Sequence, residues 1–193
     1  MTIESRIKAA IRDVPDFPKE GILFKDVTTL LLHPALANQV LDALVETYAA
    51  AALDAVAGIE SRGFLFGNAL ALRLGKPFVM IRKAGKLPAE KISHSYELEY
   101  GHATIEMHRD AVSPGQRVLI HDDLLATGGS AEAAAQLIRD AGAEVAGFSF
   151  LVELGYRPWS PRPFHHRRYS FLSCAVHKWD TITLDFQAKV VTL

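Results

Sequence analysis

VLIHDDLLATGGS, residues 118–130, runs straight into AEAAAQLIRDAG, residues 131–142. Val118, Leu119 and Ile120 read as a buried strand. Asp122 and Asp123 form an acidic edge at its end. Ala126, Thr127, Gly128, Gly129 and Ser130 make a glycine-rich turn, and Ala134, Leu137, Ile138 and Ala141 keep one face of a helix. Glycines in such a turn let the backbone approach a ligand closely. The helix start beyond it offers unpaired N–H groups and a partial positive charge. Thr127 and Ser130 add hydroxyl donors, so the turn has the makings of a phosphate cradle. Taken alone, TGGS reads equally well as an ordinary strand–helix connection with a serine cap.

The carboxylates shift that balance. Asp122 and Asp123 repel each other, so a purely structural role would need cations or donors beside them. A sugar with two vicinal hydroxyls is such a donor pair, and a cradle a few residues on suits a phosphate at the sugar's 5′ position. Together the two parts describe a ribose 5-phosphate site. No lysine follows the glycines as in a triphosphate-binding loop, and the spacing is not that of a dinucleotide-binding turn.

Outward from this stretch, the chain alternates strands and helices. Residues 3–12 predict a short amphipathic helix, and 14–26 a loop with a brief extended piece at Ile22, Leu23 and Phe24. Pro34 is placed to open a helix carried by Leu36, Val40, Ala43, Leu44 and Tyr48. Residues 54–75 repeat the strand–turn–helix pattern, with the turn at 60–63 and Gly75 suited to a left-handed helix end. Residues 77–83 and 144–154 read as further buried strands, and 96–107 as two exposed strands around Gly101. The expected fold is α/β, doubly wound, with a mostly parallel sheet. Ligands bind such sheets at the carboxyl ends of strands, where the polar turns at 60–63, 83–88 and 122–130 converge.

Composition narrows the classes. The 193 residues are 49% hydrophobic and 22% charged, with a formal net charge of −1. That supplies no basic field for nucleic acid. The longest uncharged stretch, 27–41, is broken by His33, Pro34, Asn38 and Gln39 and is too short and polar to span a bilayer. The N-terminal Glu4, Arg6, Lys8 and Arg12 fit no secretory leader. Cys174 is the lone cysteine, so no internal disulfide forms and a cytoplasmic location is expected.

An apolar strand, Asp-Asp and Ala-Thr-Gly-Gly-Ser together resemble the phosphoribosyl diphosphate signature of type I phosphoribosyltransferases. FPKEGILFKDVTTLL (17–31), GIESRGFLFG (58–67), IRKAGKLP (81–88), YELEYG (96–101) and LVEL (151–154) resemble the adenine-specific branch of that family. The likeness covers roughly residues 3–154. It implies a single phosphoribosyltransferase domain, with an N-terminal hood at 1–33, a core at 34–154, and a mobile hairpin over the site. It also implies transfer of phosphoribosyl from its diphosphate to adenine, giving AMP and diphosphate with Mg2+, and a homodimer in which Arg82 or Lys83 adjoins the partner's site.

The resemblance further assigns roles. Asp122 and Asp123 hold the ribose hydroxyls, directly or through metal-bound water. Ala126, Thr127, Gly128, Gly129 and Ser130 hold the 5′-phosphate. Ser61, Arg62, Lys83, Lys86 and Tyr100 meet the diphosphate, with a non-proline cis peptide at Ser61. Glu99 is the catalytic acid–base group. Leu23, Phe24, Lys25 and Leu154 contact adenine. No direct protein ligand for the metal is assigned. Two positions depart from the pattern: Lys25 replaces the usual arginine, and His121, read as a satisfied core histidine, replaces an apolar residue. The tail, 155–193, diverges. A transferase for another purine base, or a non-catalytic regulator on the same fold, are the competing readings.

Overall fold

The computed structural model describes residues 2–97, 102–154 and 167–174. The chain divides into two compact units, 1–50 and 51–193.

The first unit begins with helix α1 (Ile3–Ala10). Thr2 caps it by accepting from the Ser5 N–H at 3.2 Å, with Glu4 in the first turn and Lys8 in the last. β1 (Arg12–Pro15) pairs antiparallel with β2 (Leu23–Asp26), Arg12 opposite Asp26 and Pro15 opposite Leu23. The extended piece expected at 22–24 is therefore half of a two-stranded ribbon, and β1 is its unforeseen partner. The Asp26 carboxylate caps a 3-10 helix at Val27–Leu32 through the Thr28 N–H. Pro34 then opens α2 (Pro34–Tyr48), whose buried Leu36, Val40, Leu41, Leu44 and Tyr48 form one apolar face.

The second unit is a seven-stranded sheet in the order β5-β6-β4-β3-β7-β8-β9. Its strands are β3 (Ala55–Ile59), β4 (Phe78–Lys83), β5 (Lys91–Glu97), β6 (His102–His108), β7 (Arg117–Leu125), β8 (Glu144–Leu154) and β9 (Arg167–Cys174). β4, β3, β7, β8 and β9 run parallel, while β6 pairs antiparallel with both β4 and β5. α3 (Gly63–Leu74) links β3 to β4, and α4 (Gly129–Asp140) links β7 to β8. The first crossover steps one way along the sheet and the second steps the other. Right-handed crossovers therefore put the helices on opposite faces. The strand order switches between β3 and β7, and the crevice beyond their carboxyl ends is where such folds take ligands.

Alternation along the strands follows from this. Ala55, Ala57, Ile59, Val79, Ile81, Val118 and Ile120 share a core with Ala131, Ala134, Ala135, Leu137 and Ile138 of α4. On the other face Phe78 meets Phe64 of α3 edge to face, with ring centroids 5.9 Å apart. Gly75 ends α3 at φ +65°, as expected from its place.

Three further features differ from the sequence reading. β7 runs on to Leu125, so Asp122 and Asp123 lie within the strand rather than past its end. The reason is that β8 keeps pairing alongside, as far as Leu125 opposite Glu153. The 91–108 hairpin is only partly exposed, since Ile105, Glu106 and Met107 are buried. And the divergent tail contains β9, which extends the sheet in parallel beside β8.

Close packing of α3 on β7 rests on two glycines. A Cβ on Gly63 would come within 2.8 Å of the His121 carbonyl oxygen and 3.0 Å of Asp122 Oδ1. One on Gly67 would sit 3.2 Å from the His121 ring. Gly63→Ala should therefore cost about 1–3 kcal/mol in urea unfolding, the range for overpacking a close contact. Unchanged stability would show that α3 retreats from β7 without cost.

Candidate active site

β3 delivers Glu60 to the carboxyl edge of the sheet, and the Glu60–Ser61 peptide is cis. The Glu60 side chain is 8% exposed and gathers a set of donors. The Lys83 N–H donates at 3.0 Å, Lys86 Nζ at 2.5 Å, and the Arg82 guanidinium at 3.3 and 3.4 Å. Arg82 also donates to the Lys86 carbonyl at 3.0 Å. Burial pushes the Glu60 carboxyl up, but the bonds from Lys86, Lys83 and Arg82 outweigh it and hold the pKa at about 2. The turns at 60–63 and 82–86 are thus locked together.

Arg62 turns the other way. Its Nε donates to Asp123 Oδ2 on β7, with Arg62 partly exposed and Asp123 buried. Glu60, close to Arg62 in sequence, is taken up instead by Arg82, Lys86 and the Lys83 N–H. Asp122 is half-buried, and its Oδ1 accepts the Asp123 N–H at 2.9 Å. Burial, and then the charge of Asp123, raise the Asp122 carboxyl well above the ordinary range. The two carboxyl groups thus lie side by side, with the Arg62 guanidinium bonded to Asp123.

The cradle follows within one turn. Gly128 takes φ +87°, a left-handed conformation that favours glycine, and heads α4 without any side-chain cap. The first intrahelical bond runs from the Glu132 N–H to the Gly128 carbonyl at 2.9 Å. The N–H groups ahead of it face the end of the helix, the arrangement that binds anions. Thr127 is exposed, and Ser130 Oγ lies 3.0 Å from the Tyr96 hydroxyl.

The structure brings Arg62, Asp122, Asp123 and the 126–130 cradle to neighbouring ends of β3 and β7. Ser61 and the Lys83 side chain are exposed, and the Lys86 ammonium is on Glu60. Leu154 is buried at the end of β8. In the first unit, Leu23 is exposed, Phe24 meets Phe17 edge to face at 5.1 Å, and the buried Lys25 donates to Asp13 Oδ1 at 2.6 Å. Glu99 and Tyr100 lie outside the described residues. His121 is fully buried and only half satisfied: Nδ1 meets Ser149 Oγ at 3.0 Å, while Nε2 has no partner among the described residues. Burial lowers its pKa to about 4, so it stays neutral near pH 7. Glu60 and Tyr96 were missed by sequence reasoning as organisers of the site. Their partners stand 22–26 and 34 residues away, so no local pattern announces them.

Comparison with known proteins decides the family. The phosphoribosyl transferase domain matches residues 26–189. The adenine phosphoribosyltransferase of Thermosynechococcus vestitus is 61% identical over 148 residues, 77% of this chain and 87% of the relative. That of Thermobifida fusca is 54% identical over 154 residues, 80% of this chain and 88% of the relative. The chain belongs to the adenine phosphoribosyltransferase family. The crystal structure of the Thermoanaerobacter pseudethanolicus member superposes with a TM-score of 0.84 at 45% identity, covering 88% of this chain and 99% of that one. The Saccharomyces cerevisiae member, crystallised with an imino-altritol bisphosphate and adenine, gives 0.80 at 39% identity, covering 87% and 97%. The fold is accordingly that of the type I phosphoribosyltransferases, and family membership makes the chain a pentosyl-transferring enzyme.

The Glu60 network has a pH signature. A carboxyl lowered from 4.5 to about 2 stabilises the fold above the higher value, and that stability is lost as pH falls to the lower one. Glu60→Gln should lower the melting temperature at pH 7 by roughly 3–8 °C and flatten its fall through this acid window. Superimposable melting curves from pH 2 to 7 would contradict the role given to Glu60.

Proposed function

We infer that this protein transfers the phosphoribosyl group from 5-phosphoribosyl 1-diphosphate to adenine, releasing diphosphate and forming AMP in purine salvage. The observation that carries the reading is the pairing of Arg62 with Asp123 next to Asp122 and the uncapped α4 N-terminus, in a chain 54–61% identical to adenine phosphoribosyltransferases. Asp122 and Asp123 accept from the ribose hydroxyls. The 126–130 turn receives the 5′-phosphate. Arg62 sits beside the sugar, where its planar fork suits phosphate oxygens of the departing diphosphate. Ser61 and Lys83, both exposed, are proposed to join it; Tyr100, outside the described residues, is proposed for the same role on the resemblance alone. Lys86 reaches a diphosphate only by sharing its ammonium with Glu60 or leaving it.

Leu23, Phe24, Lys25 and Leu154 are proposed to hold the base. The Lys25 ammonium is engaged by Asp13, which supports contact through its stem and backbone rather than recognition by its charge. The residues also suit Mg2+. The adjacent carboxylates of Asp122 and Asp123 would hold the ion through water, with oxygens of the substrate supplying its other contacts. When bound, Mg2+ neutralises diphosphate charge and improves it as a leaving group.

Departure of diphosphate leaves positive charge on the sugar, and adenine attacks through N9 and sheds a proton. Glu99 is proposed to accept that proton. The site is proposed to lie in one phosphoribosyltransferase domain, consistent with the match over 26–189, with 1–33 as hood and 155–193 outside the catalytic constellation. A homodimer is proposed as well. Leu65 and Leu72, two turns apart on α3, and Met80 on β4 are large, exposed and apolar. A cytoplasmic location is proposed on the single cysteine; among the described residues no helix is long and apolar enough to cross a membrane.

The test is AMP formation from adenine and phosphoribosyl diphosphate, beside hypoxanthine, guanine and xanthine. Adenine should be preferred. Glu99→Gln should lower kcat by about 10²–10⁴-fold, with a smaller change in KM for adenine and little effect from Glu97→Gln. No turnover of any base by the wild type would refute the activity. An unchanged single-turnover rate in Glu99→Gln would refute the role of that residue.

A further inference from the structure

Tyr96 stands on β5, opposite Ala103 of β6, in a hairpin that β6 joins to the central sheet through Arg82 and Lys83 of β4. Its ring is partly buried against the core beneath α4. Its hydroxyl lies 3.0 Å from Ser130 Oγ, 34 residues away in sequence. Ser130 is the second residue of α4, in the very turn whose N–H groups no side chain caps.

The chemistry of the pair gives it a direction. A serine hydroxyl has one proton and two lone pairs, and a phenol has one proton to donate. A phosphate ester accepts and does not donate. With a phosphate at the helix start, the Ser130 proton is spent on it, and a Ser130 lone pair takes the Tyr96 proton. The chain then runs from Tyr96 O–H to Ser130 Oγ–H to the phosphate, each bond polarising the next. Without an anion either oxygen can be the donor, so the direction of the bond is not fixed.

We propose that Tyr96 is a positioning residue for the 5′-phosphate. It holds the Ser130 hydroxyl with its proton turned to the anion, and it transmits phosphate occupancy to the β5–β6 hairpin. The proposal rests on the reading of the α4 start as the 5′-phosphate site.

Ribose 5-phosphate is the probe. Its affinity is measured by calorimetry, and amide exchange of β5 and β6 is followed with and without it. In the wild type, ribose 5-phosphate should bind and slow exchange in both strands. Tyr96→Phe keeps the ring and removes only the hydroxyl. It should bind about threefold to tenfold more weakly and lose that slowing, while the ligand-free melting temperature stays close to wild type. Ser130→Ala should do the same, Ser130→Thr should retain the coupling, and Tyr96→Phe with Ser130→Ala should be no worse than either alone. Wild-type affinity and protection in Tyr96→Phe, or additive losses in the double variant, would overturn the proposal. Should Tyr96→Phe fail to fold, Ser130→Ala carries the test, and hairpin protection kept there would overturn it. A wild type that binds no ribose 5-phosphate would sink the reading of the site itself, a result distinct from binding without coupling.

Discussion

The bond from Arg62 to Asp123 is the constraint around which the site is arranged. It joins residues 61 apart in sequence, one at the start of α3 and one inside β7. It ties the carboxyl ends of β3 and β7 together where the sheet order switches. One partner is buried, so its loss would strand a carboxylate with little water, a heavier cost than the about 0.2–1 kcal/mol of an exposed pair. The geometry demands that α3 start against β7, and Gly63 and Gly67 are what allow it. The same approach brings the α3 start, Asp122 and the 126–130 turn into one crevice.

Charge in this crevice is out of balance by design of the fold. Glu60 is saturated by Arg82, Lys86 and the Lys83 N–H, which removes it from competition for Arg62. Asp122 is left with its neighbour's charge beside it, and its carboxyl is held well above the ordinary range. An arrangement like this costs stability in the free protein and is relieved by a ligand that brings hydroxyl donors. The uncapped α4 start has the opposite need, an anion. A sugar phosphate supplies both at once, which is the physical reason the two features lie side by side.

How much of this was legible in the sequence depended on range. The strand–turn–helix at 118–142, Pro34 at the head of α2 and Gly75 at the end of α3 are set by neighbouring residues, and they read correctly. β1 and β9 did not, because RDVP and RRYSFLSC become strands only through β2 and β8. The same holds for the last residues of β7, which stay extended because β8 pairs beside them. Within the site, the carboxylates and glycines carry their chemistry in one short stretch. The partner choices of Glu60, Arg62 and Ser130 arise where distant turns converge. His121 was read as a satisfied core residue; the core placement is right, but its Nε2 finds no partner among the described residues, a detail fixed by α3 and β8 packing.

The most direct test is whether the β7 carboxylates and the α4 start act as one ribose 5-phosphate site. Calorimetry of ribose 5-phosphate and of inorganic phosphate, on the wild type and on folded Asp122→Asn with Asp123→Asn, measures this. The account predicts that the double variant loses about tenfold or more in affinity for ribose 5-phosphate and much less for inorganic phosphate. Equal affinity of both proteins for ribose 5-phosphate would contradict it.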